Sequence, residues 1–231
     1  MKIAVFGTGS VGRAISVRLA GLGHKVMMGT RDVSATSNRQ EKDMYGGPSF
    51  SEWYASNKEI NLGTFADAAV YGEIIFNATN GYGSVSALNM AGNGINGKTL
   101  IEIANPLDYS QGMPPFLIPS LINTNSLGEE IQRTFPLVKV VKALNTMWNG
   151  IMVNPGMIAN GDHHVFICGN DAEAKEQAKE RLREMGWKNE SILDLGDITA
   201  SRGMEMVIPF WVRLMMTFGN AAFNFKIQKN G

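Results

Sequence analysis

The feature that most constrains this chain is the run Gly7-Thr8-Gly9-Ser10-Val11-Gly12, set between a short apolar segment and an amphipathic one. The preceding Lys2–Phe6 is apolar and rich in β-branched residues, as in a buried strand. The following Ser10–Leu22 has apolar residues at 11, 15, 19 and 22, the spacing of one helix face. A GxGxxG run means little alone; a strand before it and a helix after it give it a mechanism. Gly7 permits the tight turn, Gly9 admits a pyrophosphate close to the backbone, and Gly12 lets helix and strand pack closely. The helix start then offers free N–H groups and a partial positive charge. Thr8, Ser10 and Val11 complete the expected phosphate cradle.

The next strand, from Lys25, ends Gly29-Thr30-Arg31-Asp32. An acid about 20 residues past the glycines would take a ribose 2′-hydroxyl and select NAD. Thr30 stands there instead, and Arg31 offers a guanidinium fork suited to the 2′-phosphate of NADP. Asp32 could serve as a ribose acid or pair with Arg31.

Strand-like and helix-like segments alternate onward. Thr64–Tyr71 reads as a helix, Glu73–Phe76 as a strand, Ser84–Met90 as a helix and Thr99–Ile103 as a strand. That rhythm predicts an α/β, doubly wound, mostly parallel sheet of the Rossmann type. Residues 33–59 read as irregular with one helix, marked by capping-box spacing of Ser49 and Glu52. Residues 105–124 hold four of the eight prolines and read as an ordered irregular loop. Further on come a helix at Gly128–Phe135, strands at Val138–Ala143, His164–Cys168 and Ser191–Leu195, and a charged helix at Ala172–Met185. From Arg202 to Phe225 the pattern is helical and apolar, broken at Pro209. The expected organisation is a nucleotide-binding domain, 1–145, and a small, helical C-terminal part, 146–231, packed on it and able to continue the sheet.

Strand ends along the same sheet edge supply the remaining site candidates. Ala78 and Thr79 are placed beneath the adenosine ribose and phosphate. Asn105 and Pro106 are placed by ribose or nicotinamide, and Asn145 with Thr146 by the nicotinamide or second substrate. Each set is also consistent with a simple turn. The adjacent His163 and His164 point apart and cannot easily share a metal, and Cys168 reads as a core residue. A metal site is not expected.

Composition narrows the function classes. Lys+Arg and Asp+Glu are 21 each, so there is no net basic field for nucleic acid or an anionic membrane. No apolar run approaches the roughly 20 residues of a membrane span. A single cysteine fits a reducing compartment, and a soluble cytoplasmic protein is the expectation. The apolar excess in Met204–Phe225 predicts a homodimer or one wall of a cofactor pocket.

The N-terminal stretch GTGSVGRAISVRLAGLGHKVMMGTRD resembles the start of the F420-dependent NADP oxidoreductases. The likeness continues in Ile101–Leu107, in Val140–Thr146, in Cys168–Asp171 and in Ser201-Arg202. It implies hydride exchange between NADPH and a deazaflavin, coenzyme F420, or a flavin-like acceptor. The family's deazaflavin-using members carry histidine where this chain has Asn145. Hydride transfer between two flat rings needs positioning and exclusion of water rather than an acid–base pair, and Asn105 and Asn145 are the candidate orienting residues. Two alternatives remain at this point: a non-catalytic NADP-binding sensor, and a reductase of another acceptor such as a flavin, quinone, ferric chelate or imine.

Overall fold

The computed structural model describes residues 1–42 and 46–230. Its strands are β1 (Lys2–Phe6), β2 (Lys25–Thr30), β3 (Asn61–Thr64), β4 (Ile74–Asn77), β5 (Thr99–Glu102), β6 (Leu107–Asp108), β7 (Phe116–Leu117), β8 (Lys139–Ala143), β9 (Val165–Gly169) and β10 (Ile192–Asp194). Helices α1 (Ser10–Gly21), α2 (Val33–Ser37), α3 (Phe50–Ala55), α4 (Phe65–Tyr71) and α5 (Gly81–Ala91) occupy the first part. Helices α6 (Leu127–Thr134), α7 (Asn149–Val153), α8 (Ala172–Met185), α9 (Ser201–Met206) and α10 (Ile208–Phe218) occupy the rest.

Eight strands form one sheet in the order β10-β9-β8-β5-β4-β1-β2-β3. From β3 to β8 all neighbours are parallel, as the alternating pattern requires. β9 then runs antiparallel to β8, opposing Val141 to Gly169. The sheet therefore passes without interruption from the first 145 residues into the last part. From β1 the chain winds one way through β2 and β3, then returns to β4 on the other side and continues outward. The reversal point lies between β1 and β4, where ligands bind in open α/β sheets.

Successive strand residues face opposite sides. Ile3 and Val5 join Ile15, Leu19 and Val26 in one core. Ala4 and Phe6 join Phe65, Ala68 and Leu88 in the other. Both faces are covered, so the parallel strands read as continuous apolar runs.

Local signals set several boundaries. Ser49 and Glu52 form the capping box of α3, and Thr64 with Asp67 forms that of α4. The segment 33–59 holds two short helices rather than one, and β3 follows it; residues 43–45 of that segment lie outside the described residues. The loop 105–124 contains the small β6–β7 hairpin. The C-terminal helical run divides at Val207, with Pro209 in the first turn of α10, and ends at Phe218, short of Phe225. Gly219 takes a left-handed conformation there and turns the chain back. Phe223 then stacks on Trp211, and Phe225 on Phe210.

Candidate functional site

The sequence 7–12 makes a strand end and a helix start meet within a few residues. Gly7 sits at φ +103°, and a Cβ at Gly12 would fall 2.2 Å from the Gly7 carbonyl oxygen, so both positions require glycine. A Cβ built at Gly9 meets no atom within 4 Å, so its backbone faces open space. No side chain caps α1, leaving its first N–H groups for a ligand. Above them lies a groove of about 780 Å³ lined by Thr8, Gly9, Thr30, Arg31, Arg39 and Thr79, among others. An uncapped helix start with two guanidinium groups and open space over a glycine fits a dinucleotide diphosphate.

Each predicted groove residue has a definite place. Gly7, Ser10, Val11 and Ala78 line the groove, whereas Gly12 packs behind it. Thr30 is buried and its Oγ1 shares a 2.7 Å hydrogen bond with Thr36 Oγ1. Asp32 caps α2, its Oδ1 accepting from Ala35 N at 2.8 Å, and makes no ion pair with Arg31. Arg31 is exposed at the groove edge.

Arg39 went unrecognised in the sequence. Its Nη2 donates to the Thr8 carbonyl at 3.1 Å and to Thr8 Oγ1 at 3.2 Å, and its guanidinium lies 5.2 Å from the Phe50 ring centroid. The only advance signal was a basic residue in a polar segment. Its partner lies 31 positions back, a separation no local pattern reports.

A second cavity, about 540 Å³, adjoins the groove and shares Val11, Ala78, Thr79, Asn80 and Tyr109 with it. Its floor and walls include Ile103, Asn105, Asn145, Met147 and Met152. Asn105 and Asn145 brace each other: Asn105 Nδ2 donates to the Asn145 carbonyl at 2.8 Å, and Asn145 Nδ2 donates to Asn105 Oδ1 at 2.9 Å. Asn145 Nδ2 also donates to the Met204 carbonyl at 3.0 Å. Asn145 Oδ1 is buried with no hydrogen-bond partner. Pro106 is buried behind the lining. The pocket wall is α7 with the 103–110 turn; α10 does not line it.

Beneath this cavity lies a buried polar network that the sequence did not announce. Lys142, wholly buried on β8, donates to the Ala104 carbonyl and pairs with Glu205 at 2.8 Å. Glu102 Oε1 lies 3.9 Å from the same ammonium and accepts from Ala104 N at 2.8 Å. Asn77 Nδ2 donates to Glu102 Oε2, and Thr79 Oγ1 donates to Asn77 Oδ1 at 2.7 Å. Burial pushes the Glu102 carboxyl up to about 7, opposed by Lys142 and the Asn77 hydrogen bond. Glu205 reaches the start of α6, accepting from Leu127 N at 2.8 Å and Gly128 N at 3.0 Å.

The remaining candidates are structural. His163 is buried edge-on to Trp187, and its Nε2 bonds the Pro155 carbonyl at 2.9 Å. Burial pushes the Cys168 thiol up to about 12, so it is no nucleophile. Among the described residues there is no cluster of His, Cys, Asp and Glu suited to a metal, and no helix long and apolar enough to cross a membrane.

Comparison with known proteins gives a consistent picture. The family model for NADP oxidoreductase, coenzyme F420-dependent, matches residues 2–106. A crystal structure of a provisionally assigned F420-dependent NADP reductase from Arthrobacter sp. FB24 is 52% identical, covers 99% of this chain and 100% of that one, and superposes with a TM-score of 0.93. The metalloreductase STEAP3 of Rattus norvegicus is 28% identical over 219 residues, 91% of this chain and 38% of that protein. The chain thus spans under two fifths of the length of that relative. A reductive aminase from Aspergillus terreus, solved with NADPH and ethyl levulinate, is 13% identical with a TM-score of 0.62 over 94% of this chain and 62% of that one. At that identity the likeness shows the fold alone.

Proposed function

The chain belongs to the coenzyme F420-dependent NADP oxidoreductase family, and from that premise we propose that it moves a hydride between NADP(H) in the groove and a deazaflavin or flavin-like ring in the adjoining cavity. The observation that carries the reading is the shared wall: Ala78, Thr79 and Asn80 border both spaces, so two ligands lie against one turn. A sensor that only binds nucleotide has no need of the second space, which favours the enzyme over the non-catalytic alternative.

In this reading Gly7–Gly12 and the start of α1 hold the diphosphate. Arg31 and Arg39 face the 2′-phosphate, with Thr30 and Asp32 shaping that end through Thr36 and α2. Ala78 and Thr79 lie under the ribose and phosphate. Bound NADPH supplies a hydride at its nicotinamide; the chain supplies position. Asn105 and Asn145 fix one edge of the ring pair, and the Asn145 Oδ1 accepts an N–H from the nicotinamide carboxamide. Apolar Ile103, Met147 and Met152 keep water from the reacting carbons. Residues 1–145 are then the nucleotide-binding domain, and 146–231 close the cavity and widen the sheet.

We also keep the homodimer. Met206, Phe210, Met216 and Phe218 remain exposed on or beside α10, a face suited to a second copy. A monomer by sedimentation at micromolar concentration overturns that part alone. The central test is NADPH oxidation against F420, FMN, FAD, quinones and ferric chelates. Reduction of a ring acceptor well above the others is expected; tight NADPH binding with oxidation by none overturns the enzyme reading.

A further inference from the structure

We propose that Arg13 and Phe50 are positioning residues for the dinucleotide: with Arg39 they hold the Thr8–Gly9 peptide so that its N–H, and not its carbonyl, is presented to the diphosphate. The inference rests on the nucleotide lying in the groove and is independent of the acceptor in the second cavity.

The Thr8 carbonyl is the point of control. It accepts from Arg13 Nε at 3.2 Å and from Arg39 Nη2 at 3.1 Å. Both bonds are charge-assisted, so together they fix the plane of this peptide firmly. A trans peptide is flat, with its carbonyl and its N–H pointing opposite ways. Among the described residues the one cis bond lies elsewhere, at Met113-Pro114. Drawing the Thr8 carbonyl onto the two guanidinium groups therefore turns the Gly9 N–H the other way. Gly9 lines the groove, and a Cβ built on it meets no atom within 4 Å. Turned over, the same peptide would set a carbonyl oxygen against two phosphates, an electrostatic repulsion in place of a hydrogen bond.

The segment that opens α3 holds the two guanidinium groups in place. Phe50 is wholly buried, and its ring centroid lies 5.5 Å from the Arg13 guanidinium and 5.2 Å from that of Arg39. Arg13 also lies 5.8 Å from the Trp53 ring. Such contacts attract a cation to the ring and limit where it can go. Arg13 Nη1 donates to the Pro48 carbonyl at 2.7 Å, and the Arg39 carbonyl accepts from Ser51 N at 3.2 Å. Both arginines are thus tied to residues 48–51. Phe50 is fixed in turn by packing on Trp53 and Tyr54 and by the capping box at Ser49 and Glu52. Arg13 is buried, and neither it nor Phe50 lines the groove. They act on the nucleotide through Thr8.

The test compares ligands that carry different parts of the dinucleotide, using the whole chain. NADPH and NADH binding is read from nicotinamide fluorescence, and ADP-ribose and 2′-AMP from its displacement. ADP-ribose keeps the diphosphate and lacks the nicotinamide; 2′-AMP keeps adenosine and a 2′-phosphate and lacks the diphosphate. Arg13→Met should weaken NADPH, NADH and ADP-ribose by the same factor, about tenfold, and 2′-AMP by less than about twofold. Phe50→Leu should show the same pattern at about three- to fivefold. It keeps an apolar side chain in the core, so it carries the test if Arg13→Met does not fold. Arg31→Ala is the opposite control, weakening 2′-AMP and NADPH and sparing NADH. Equal losses of 2′-AMP and ADP-ribose in Phe50→Leu would mean that the residue only supports the fold, and would overturn the inference. So would unchanged NADH binding in both variants. Either result leaves the hydride-transfer reading intact, whereas an acceptor screen in which nothing oxidises NADPH removes that reading and leaves this one standing.

Discussion

The dinucleotide groove and the cavity beside it share a wall, yet they are assembled differently. The groove is made chiefly by two short runs, 7–12 and 29–39, each closing a strand and opening a helix. Its chemistry is backbone N–H groups and guanidinium. The cavity draws on 78–82, 103–110 and 145–152, brought together only when β4, β5 and β8 lie side by side. Its shape depends on side chains buried beneath it. A groove built on backbone N–H groups can thus be local in sequence, while the cavity beside it is a product of the sheet.

The largest expected effect tests whether buried charge sets the cavity floor. Lys142→Met leaves Glu102 and Glu205 buried without their cation, and breaking such a pair costs about 3–5 kcal/mol. Chemical denaturation should show that loss. A loss below about 1 kcal/mol would mean that packing alone sets the floor.

The same network gives a pH signature. The Glu102 carboxyl titrates near 7 in the folded chain, above its usual value of 4.5. Between those values the folded state holds a proton that the unfolded state has released, so stability falls as pH rises through that window. Lys142, Asn77 and the Ala104 N–H oppose this shift, whereas the like charge of Glu205 adds to it. At 1.36 kcal/mol per unit, the slope amounts to at most about 3 kcal/mol over the interval. Glu102→Gln should flatten it; parallel melting curves for both proteins from pH 5 to 8 would remove Glu102 from the account.

On the groove side, Arg31→Ala removes a charged hydrogen-bond donor worth about 1.5–3 kcal/mol. NADPH binding should weaken roughly 10- to 100-fold and NADH by less than about threefold, the gap shrinking with salt. Arg39→Met offers the sharper comparison, because Arg39 also holds Thr8. It should weaken both nucleotides, and NADPH more. Equal losses of NADPH and NADH in Arg31→Ala would mean that Arg31 supports the loop rather than the phosphate.

The smallest effect concerns orientation. Asn145→Ala should leave NADPH affinity within about threefold and lower the hydride-transfer rate about tenfold, since misplacing a ring costs rate more than binding. Single-turnover absorbance at the nicotinamide band separates the two. A fall in affinity alone would make Asn145 a binding residue only.

Much of this molecule was legible in its residues. The parallel sheet followed from alternating strand and helix patterns, because each parallel crossover needs a helix and each buried strand an apolar run. The cradle was legible because glycine at 7 and 12 answers a purely local demand: a positive φ and a backbone-to-backbone contact. Capping boxes at Ser49 and Thr64 were local as well. β3 escaped notice because four residues, Asn61–Thr64, carry too little pattern to outweigh their polar neighbours. The antiparallel turn of β9 against β8 is a choice between packings, open to the same apolar strand in either direction.

The tertiary structure alone decided the reach of Arg39 to Thr8 and the meeting of Lys142 with Glu102 and Glu205. In the sequence Lys142 is a charge inside a strand-like run, and Glu205 a charge before an apolar helix; each looks like a surface residue. Their burial is tolerable only because they find each other and the free N–H groups of α6, partners more than sixty residues apart from Glu205. Local backbone requirements are written within a few residues, so the sequence by itself determined the nucleotide cradle. The balance of a buried charge is struck between distant segments, so only the folded sheet determined the cavity beside it.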